Sequence, residues 1–321
     1  MLGAAGREDA VALRLPPPSL AAAHELRTVV AVQRVLRYPV PRPKALLGDA
    51  LWRRVAVEFS AAVAEAATLP GGGGFRALRL EAAGRDSEVM RRLAAALAEA
   101  VGLPVDAEDG DLVVRARPDG GDWALLVRTT RRPLATRGWR VCDRPGGLNA
   151  SLAAALAWLA APPAGGVAGN PFAGSGTLAI ELALADPRAR VEGFDLDPEA
   201  VACARRNADA AGVGGRVRFR EGEAAAWPQA DASLDLVLAD PPWGDAVGTR
   251  AGNRALYPAF LGEAARCLRP GGRLAWVTHE IELTRACLAA PGPWRLVHER
   301  RVWHGGHHPW VLVLERSGRR G

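Results

Sequence analysis

Two short runs carry residues whose types and spacing could do chemistry. One is Leu238-Ala239-Asp240-Pro241-Pro242-Trp243-Gly244. Paired prolines after an apolar run fix a rigid turn. That turn would hold Asp240 and the Pro241 carbonyl as hydrogen-bond acceptors, with Pro242 completing it and Trp243 adding a flat stacking face. Acceptors beside a stacking face suit a planar base with an exocyclic amino group. Hydride transfer has no use for them. A Pro-Pro-Trp run in isolation is more often only a turn, and its place after the fourth strand of an α/β pattern is what favours function.

The second run is Asn170-Pro171-Phe172-Ala173-Gly174-Ser175-Gly176-Thr177. Glycines here let the backbone turn tightly and approach a ligand, and a following helix N-terminus offers free N–H groups. Gly174-x-Gly176-x-x-Ala179 also satisfies the dinucleotide pattern G-x-G-x-x-G/A, with Asp195 about 20 residues on to hold ribose hydroxyls. A nicotinamide dehydrogenase therefore competes at this point. Asp197 before Pro198 reads as a helix N-cap, which leaves Asp195, followed by Leu196, for a ribose. Glu223 and Ala224 follow the next strand, where an adenine edge would lie.

Other candidates are weaker. His304, His307 and His308 lie in a Gly-rich hairpin with no Cys or acidic partner nearby, so an exposed loop and no metal site are expected. Cys142, Cys203, Cys267 and Cys287 form no CxxC pair and read as reduced thiols, with neither zinc nor a disulfide implied. Trp158, on an Ala-rich helix, reads as a packing residue.

The elements that must position these groups fall into two sets. In the first part, Leu26 to Tyr38 reads as a strand pair or one long strand, Leu46 to Thr68 as a helix, and Phe75 to Leu80 as a strand. Asp86 to Val101 reads as a helix with Asp86 as N-cap, and Leu112 to Arg117 and Trp123 to Arg128 as strands joined by a Pro-Asp-Gly-Gly turn. This is a small α+β unit. After a helix from Leu148 to Ala161 the pattern becomes strict βα alternation. Strands are expected at 166–170, 191–195, 217–220, 234–239 and 273–278, with helices at 175–185, 198–211 and 257–268. Such alternation gives a doubly wound parallel sheet with ligands at the carboxyl ends of its strands. A terminal antiparallel pair, 294–303 and 309–315, departs from a pure dinucleotide-binding sheet.

The pair NPFAGSGT and DPPWG resembles the D-P-F-x-G-S-G-T and [DN]-P-P-[YFW] motifs of S-adenosylmethionine-dependent methyltransferases that modify amino nitrogens. The resemblance covers about Leu148 to Arg316. LVVRARP, WALLVRTTRRPLATRGWR and GLNASLAAALAWLA resemble the end of a THUMP domain and its connection to an RNA guanine-N2 methyltransferase. LRTVVAVQRVLRYPVPRPKALLGD resembles the ferredoxin-like piece before THUMP, here short. The resemblance implies a THUMP-like region at 1–147, and at 148–321 a Rossmann-like class I methyltransferase domain of seven strands. It implies Asp240, Pro241, Pro242 and Trp243 as catalytic. It implies S-adenosylmethionine held by Asn170, Phe172, Gly174, Ser175, Gly176, Thr177, Asp195, Leu196, Glu223 and Ala224. Asn170 and Glu223 stand where the family usually has Asp, and Ala173 where it has Cys or Thr.

Charge points the same way. The chain of 321 residues carries a net +6 and is 49% hydrophobic, which excludes wholesale disorder. Residues 1–150 hold 22 basic and 17 acidic side chains (+5), and residues 151–321 hold 19 and 18 (+1). Within the first part, Arg115 to Arg144 alone is +5, which suggests a polyanion. Arg128, Arg131, Arg132, Arg137 and Arg140 are the expected phosphate contacts. Lys44 is the only lysine, so part of the basic balance reflects an Arg-rich composition. No signal peptide or membrane span is evident, the first 20 or so residues look disordered, and a cytoplasmic monomer acting on tRNA or rRNA is expected. DNA adenine, protein glutamine and a non-catalytic RNA-binding role are the alternatives.

Overall fold

The computed structural model describes residues 10–14, 17–243, 249–303 and 306–318. Gly244 and His304 lie outside the described residues. The chain divides into two units, Met1–Thr136 and Arg137–Gly321. The stretch 137–147, expected with the first part, packs with the second.

In the first unit, α1 (Pro17–His24) precedes β1 (Gln33–Tyr38). A 3-10 turn (Pro43–Leu47) leads into α2 (Asp49–Ala67). Then come β2 (Leu78–Ala82), α3 (Glu88–Ala100), β3 (Leu112–Asp119) and β4 (Asp122–Arg128). The sheet order is β1-β4-β3-β2, with only β2 and β3 parallel. Phe59 of α2 and Met90, Leu93 and Leu97 of α3 cluster with Leu112, Val114 and Ala116, the alternate residues of β3. Three expectations change here. Only Gln33–Tyr38 of the Leu26–Tyr38 run is strand. The N-cap of α3 is Ser87, whose hydroxyl accepts from the Met90 amide, rather than Asp86. Of the residues expected to be disordered, Pro17 onward forms α1, while 1–9 and 15–16 lie outside the described residues.

The second unit runs α4 (Ala150–Ala160), β5 (Val167–Asn170), α5 (Thr177–Ala185), β6 (Arg190–Asp195), α6 (Pro198–Ala210), β7 (Val217–Glu221) and β8 (Leu234–Ala239). It continues with α7 (Arg250–Cys267), β9 (Leu268–Thr278), α8 (Ile281–Ala289), β10 (Trp294–Arg301) and β11 (Trp310–Arg316). The sheet order is β10-β11-β9-β8-β5-β6-β7, parallel from β9 to β7, with β11 antiparallel to both its neighbours. Burial on both faces explains why β8 is an unbroken apolar run. Leu236 and Leu238 join the cluster of α4, α5 and α6, while Val237 and Ala239 join that of α7.

Two further readings are corrected. Trp158 is 73% exposed on α4 rather than packed, because the helix turns its alanines and Leu156 inward. Cys142 and Cys203 form a disulfide, with Cα atoms 5.5 Å apart. The sequence carried no sign of it: the two are 61 residues apart, and only the packing of segment 137–147 on α6 brings them together.

Candidate active site

The strand order reverses between β5 and β8, which lie side by side in register Ala168↔Leu236 and Gly169↔Val237. In open α/β sheets the ligand crevice opens at the carboxyl ends of such a pair. Asn170 ends β5, and Asp240 follows the last residue of β8. Both sequence runs therefore meet at one point of the sheet edge.

Asn170 is fully buried. Its amide nitrogen donates to the Leu238 carbonyl at 2.9 Å and, more weakly, to that of Phe172 at 3.4 Å. Its Oδ1 is buried with no hydrogen-bond partner. An unsatisfied buried acceptor is costly, and one at a ligand crevice is an open place for a cationic or N–H donor. Next to it the chain turns through Gly174 (φ +52°) and Gly176 (φ +82°) into α5. A Cβ on Gly176 would lie 2.8 Å from the Phe219 ring, so only glycine fits. A Cβ on Gly174 would meet open space.

Asp195, at the end of β6, accepts from the Gly174 amide at 2.8 Å and from the Asp197 amide at 3.1 Å. Its carboxylate thus clamps the glycine turn. Asp197 caps α6 through the Glu199 amide, as expected. Leu196 is 72% exposed and Glu223 is exposed, whereas Ala224 is buried. Ser175 and Thr177 are buried with their hydroxyls 3.1 Å apart. Phe172 packs edge-on against Phe260 at 5.2 Å.

At the Asp-Pro-Pro-Trp turn, the Pro242 carbonyl accepts from Asn253 (2.8 Å) and Tyr257 (3.3 Å) of α7. That pins the turn and leaves the Pro241 carbonyl as its other acceptor. Asp240 Oδ1 accepts the Trp243 indole N–H at 3.1 Å. Burial lifts the Asp240 carboxyl from its ordinary 3.8 to about 7, and the indole bond opposes the shift. Trp243 is not an open platform. His279 stacks on it at 3.9 Å with an interplanar angle of 29°.

Several positioning residues were not visible in the sequence. Asn253 lies on a part of α7 that Pro258 hid, since a proline inside a helix argues against continuity. Asn207 of α6 is buried and holds the Cys142 backbone at both N–H and carbonyl, while its amide also donates to the Ser175 carbonyl. No local signal marks it.

The five arginines separate sharply. Arg128 is buried and donates to the carbonyls of Thr130, Asp111 and Arg131, so it holds the fold rather than a phosphate. Arg137 pairs at 2.8 Å with Glu181, a residue of α5 with no exposure. Arg140 is spent on the Leu148 carbonyl and Asp143. The structure therefore corrects these three. Arg131 and Arg132 instead line a cavity of about 480 Å³ in the first unit, together with Arg76. Asp111 holds Arg131 (2.8 Å) and Arg76 (3.3 Å) through their Nε atoms, and both arginine side chains stay exposed. Burial alone would raise the Asp111 carboxyl. The bonds from the Arg76 and Ala77 amides and the two guanidiniums outweigh it and hold it well below the usual range. Arg76 carried no signal, being far in sequence from the basic stretch.

Comparison with known proteins agrees with this geometry. A family model described as RMKL-like, methyltransferase domain, matches residues 137–309. A tRNA (guanine(6)-N2)-methyltransferase of Thermus thermophilus is 38% identical over 71% of this chain and 68% of its own length. An enzyme of the same name from Archaeoglobus fulgidus is 26% identical over 66% of this chain and 60% of its own length. The crystal structure of TrmN from Thermus thermophilus superposes with a TM-score of 0.69 at 32% identity, covering 92% of this chain and 85% of that one.

Proposed function

The chain belongs to the RMKL-like methyltransferase family, and on that footing we propose that it transfers a methyl group from S-adenosylmethionine to the exocyclic N2 of a guanosine in tRNA. The observation that carries the reading is the half-buried Asp240 carboxylate, anchored by Trp243 beside the reversal of strand order. The activity named for the relatives supports the substrate.

The residues present fit the methyl donor. The orphaned Asn170 Oδ1 would accept a hydrogen bond from the methionine ammonium, without the negative charge that the usual Asp adds. The turn Gly174–Thr177 would receive the rest of the amino-acid moiety at the α5 N-terminus, Asp195 the ribose hydroxyls, and Leu196 and Ala224 the adenine. When bound, the donor supplies an electrophilic methyl on a sulfonium. Every other task falls to the protein.

The guanine N2 lone pair is delocalised into the ring, so the amino group is a poor nucleophile. Asp240, in its ionised form, accepts one amino proton, and the Pro241 carbonyl accepts the other. This localises the lone pair and fixes its direction, and alignment is the main source of acceleration in such a displacement. Asp240 then takes up the proton that the methylated nitrogen releases. The rigidity of Pro241 and Pro242 and the α7 bonds to the Pro242 carbonyl keep the two acceptors in place.

The first unit is read as THUMP-like, with Arg76, Arg131 and Arg132 receiving phosphates in their cavity. A tRNA substrate is in keeping with an enzyme that acts in the cytoplasm. The decisive experiment incubates the protein with labelled S-adenosylmethionine and, separately, unmodified tRNA, rRNA, DNA and protein extract, and then maps the modified residue. Label in N2-methylguanosine of tRNA is expected. Label confined to rRNA, DNA adenine or protein glutamine, or none at all, overturns the reading.

A further inference from the structure

The His-rich hairpin and the residue after β9 converge on the catalytic turn. His279 lies face to face with Trp243, and His307 sets its ring edge against both, 6.2 Å from Trp243 and 5.3 Å from His279. The backbone at His279 is fixed from both sides. Buried Thr278 accepts the Glu280 amide at 3.0 Å, and its hydroxyl lies 3.3 Å from that of Tyr257, which also reaches the Pro242 carbonyl. So the end of β9 and the Asp-Pro-Pro-Trp turn are tied twice, through Tyr257 and through the ring stack.

We propose that His279 is a positioning residue for methyl transfer: stacked on Trp243, it fixes the indole so that the indole N–H anchors one carboxylate oxygen of Asp240 and leaves the other for the substrate amino group. The inference rests on the reading of Asp240 as the acceptor of that amino group. The indole can rotate about two side-chain bonds, and its N–H reaches Asp240 in only one setting. A ring stacked at 3.9 Å blocks the rotations that would lose it. His307 limits the ring from its edge. One indole face is thereby taken by His279.

The stack, rather than the imidazole nitrogens, is what the proposal requires, and this separates His279→Ala from His279→Phe. With unmodified tRNA transcript, His279→Ala lowers kcat by about 10–100-fold, the scale of a small misalignment. KM for tRNA, cofactor affinity by calorimetry and Tm stay near wild type. His279→Phe recovers most of kcat. An unchanged kcat in His279→Ala, or a His279→Phe variant as slow as the alanine one, overturns the proposal.

A second measurement does not depend on activity. The Trp243 indole N–H, assigned in a ¹H–¹⁵N spectrum by its loss in Trp243→Phe, exchanges slowly in wild type and His279→Phe and faster in His279→Ala. Equal exchange in all three sinks the proposal. If the wild-type enzyme methylates no tRNA, the functional reading fails, and the exchange rates still decide whether His279 fixes the indole.

Discussion

Replacing Asp240 by Asn should remove activity and, at neutral to alkaline pH, stabilise the fold. Asn keeps the shape and still accepts the Trp243 N–H through its Oδ1. It cannot ionise. The wild-type carboxyl is lifted by burial from 3.8 to about 7. A group whose folded pKa lies above its unfolded one confers stability below the unfolded value, and that stability is lost as pH rises through the folded value. The window here is therefore pH 4 to 7. Three pKa units at 1.36 kcal/mol each set an upper bound of about 4 kcal/mol. Allowing for about a unit of relaxation and water entry, the expected gain is roughly 2–4 kcal/mol. For a unit of this size each kcal/mol moves Tm by about 2–4 °C. Calorimetric melts of both proteins at pH 4.5, 6, 7 and 8, at fixed ionic strength, should nearly coincide at the lowest pH and separate by several degrees at the highest. Methyl transfer by the Asn variant should fall by about 10²–10⁴-fold. In the wild type, kcat/KM should rise with pH through an apparent pKa near 7, because the ionised form is the acceptor. Parallel Tm lines across this pH range would refute the desolvation argument, and full activity in the variant would refute the role.

Four further outcomes follow from the same geometry. Asn170→Ala removes the acceptor for a charged donor, a hydrogen bond of about 1.5–3 kcal/mol, so cofactor affinity by calorimetry falls about 10–150-fold. Gly176→Ala places a Cβ 2.8 Å from the Phe219 ring at a positive φ and lowers stability by about 1–3 kcal/mol in denaturant titration. Arg137→Ala removes the ion-pair partner of buried Glu181 and destabilises by about 3–5 kcal/mol, with no gain or loss specific to RNA. Arg132→Ala leaves Tm unchanged, weakens tRNA binding, and reduces the slope of log affinity against log salt by about 1.

The order of elements in the second unit was legible because a parallel sheet writes itself as apolar runs alternating with amphipathic ones. The glycine turn and the Asp-Pro-Pro-Trp turn were legible because few residues can do their work. Strand β9 was read too short at its start, because Pro270, Gly271 and Gly272 interrupt the register between the Leu234↔Leu268 and Leu236↔Arg273 pairs. Helix α8 was not read at all, since only Thr284 is fully buried and its apolar face, Leu283, Cys287 and Leu288, is short and half-buried. The Cys142–Cys203 bond, Asn207 at the linker and His279 on Trp243 are products of tertiary packing between segments far apart in sequence. No local pattern could announce them.

The arginines show most clearly what composition can and cannot say. Charge along a sequence is a sum, whereas a phosphate meets only the guanidinium groups the fold leaves outward. Arg128, Arg137 and Arg140 satisfy buried carbonyls and carboxylates that would otherwise be stranded. Their contribution to the net charge is real, but their contribution to RNA affinity is largely spent inside the protein. Arg131 and Arg132 remain, and Arg76 joins them from outside the basic stretch because Asp111 gathers it to the same opening. Each phosphate neutralised steepens the salt dependence by roughly 0.7–0.9. A cavity holding three arginines therefore implies a slope of about −2 to −3 from this region rather than the −4 or so that five surface contacts would give. A steeper measured slope would mean that further cations, outside the stretch the sequence singled out, lie along the RNA.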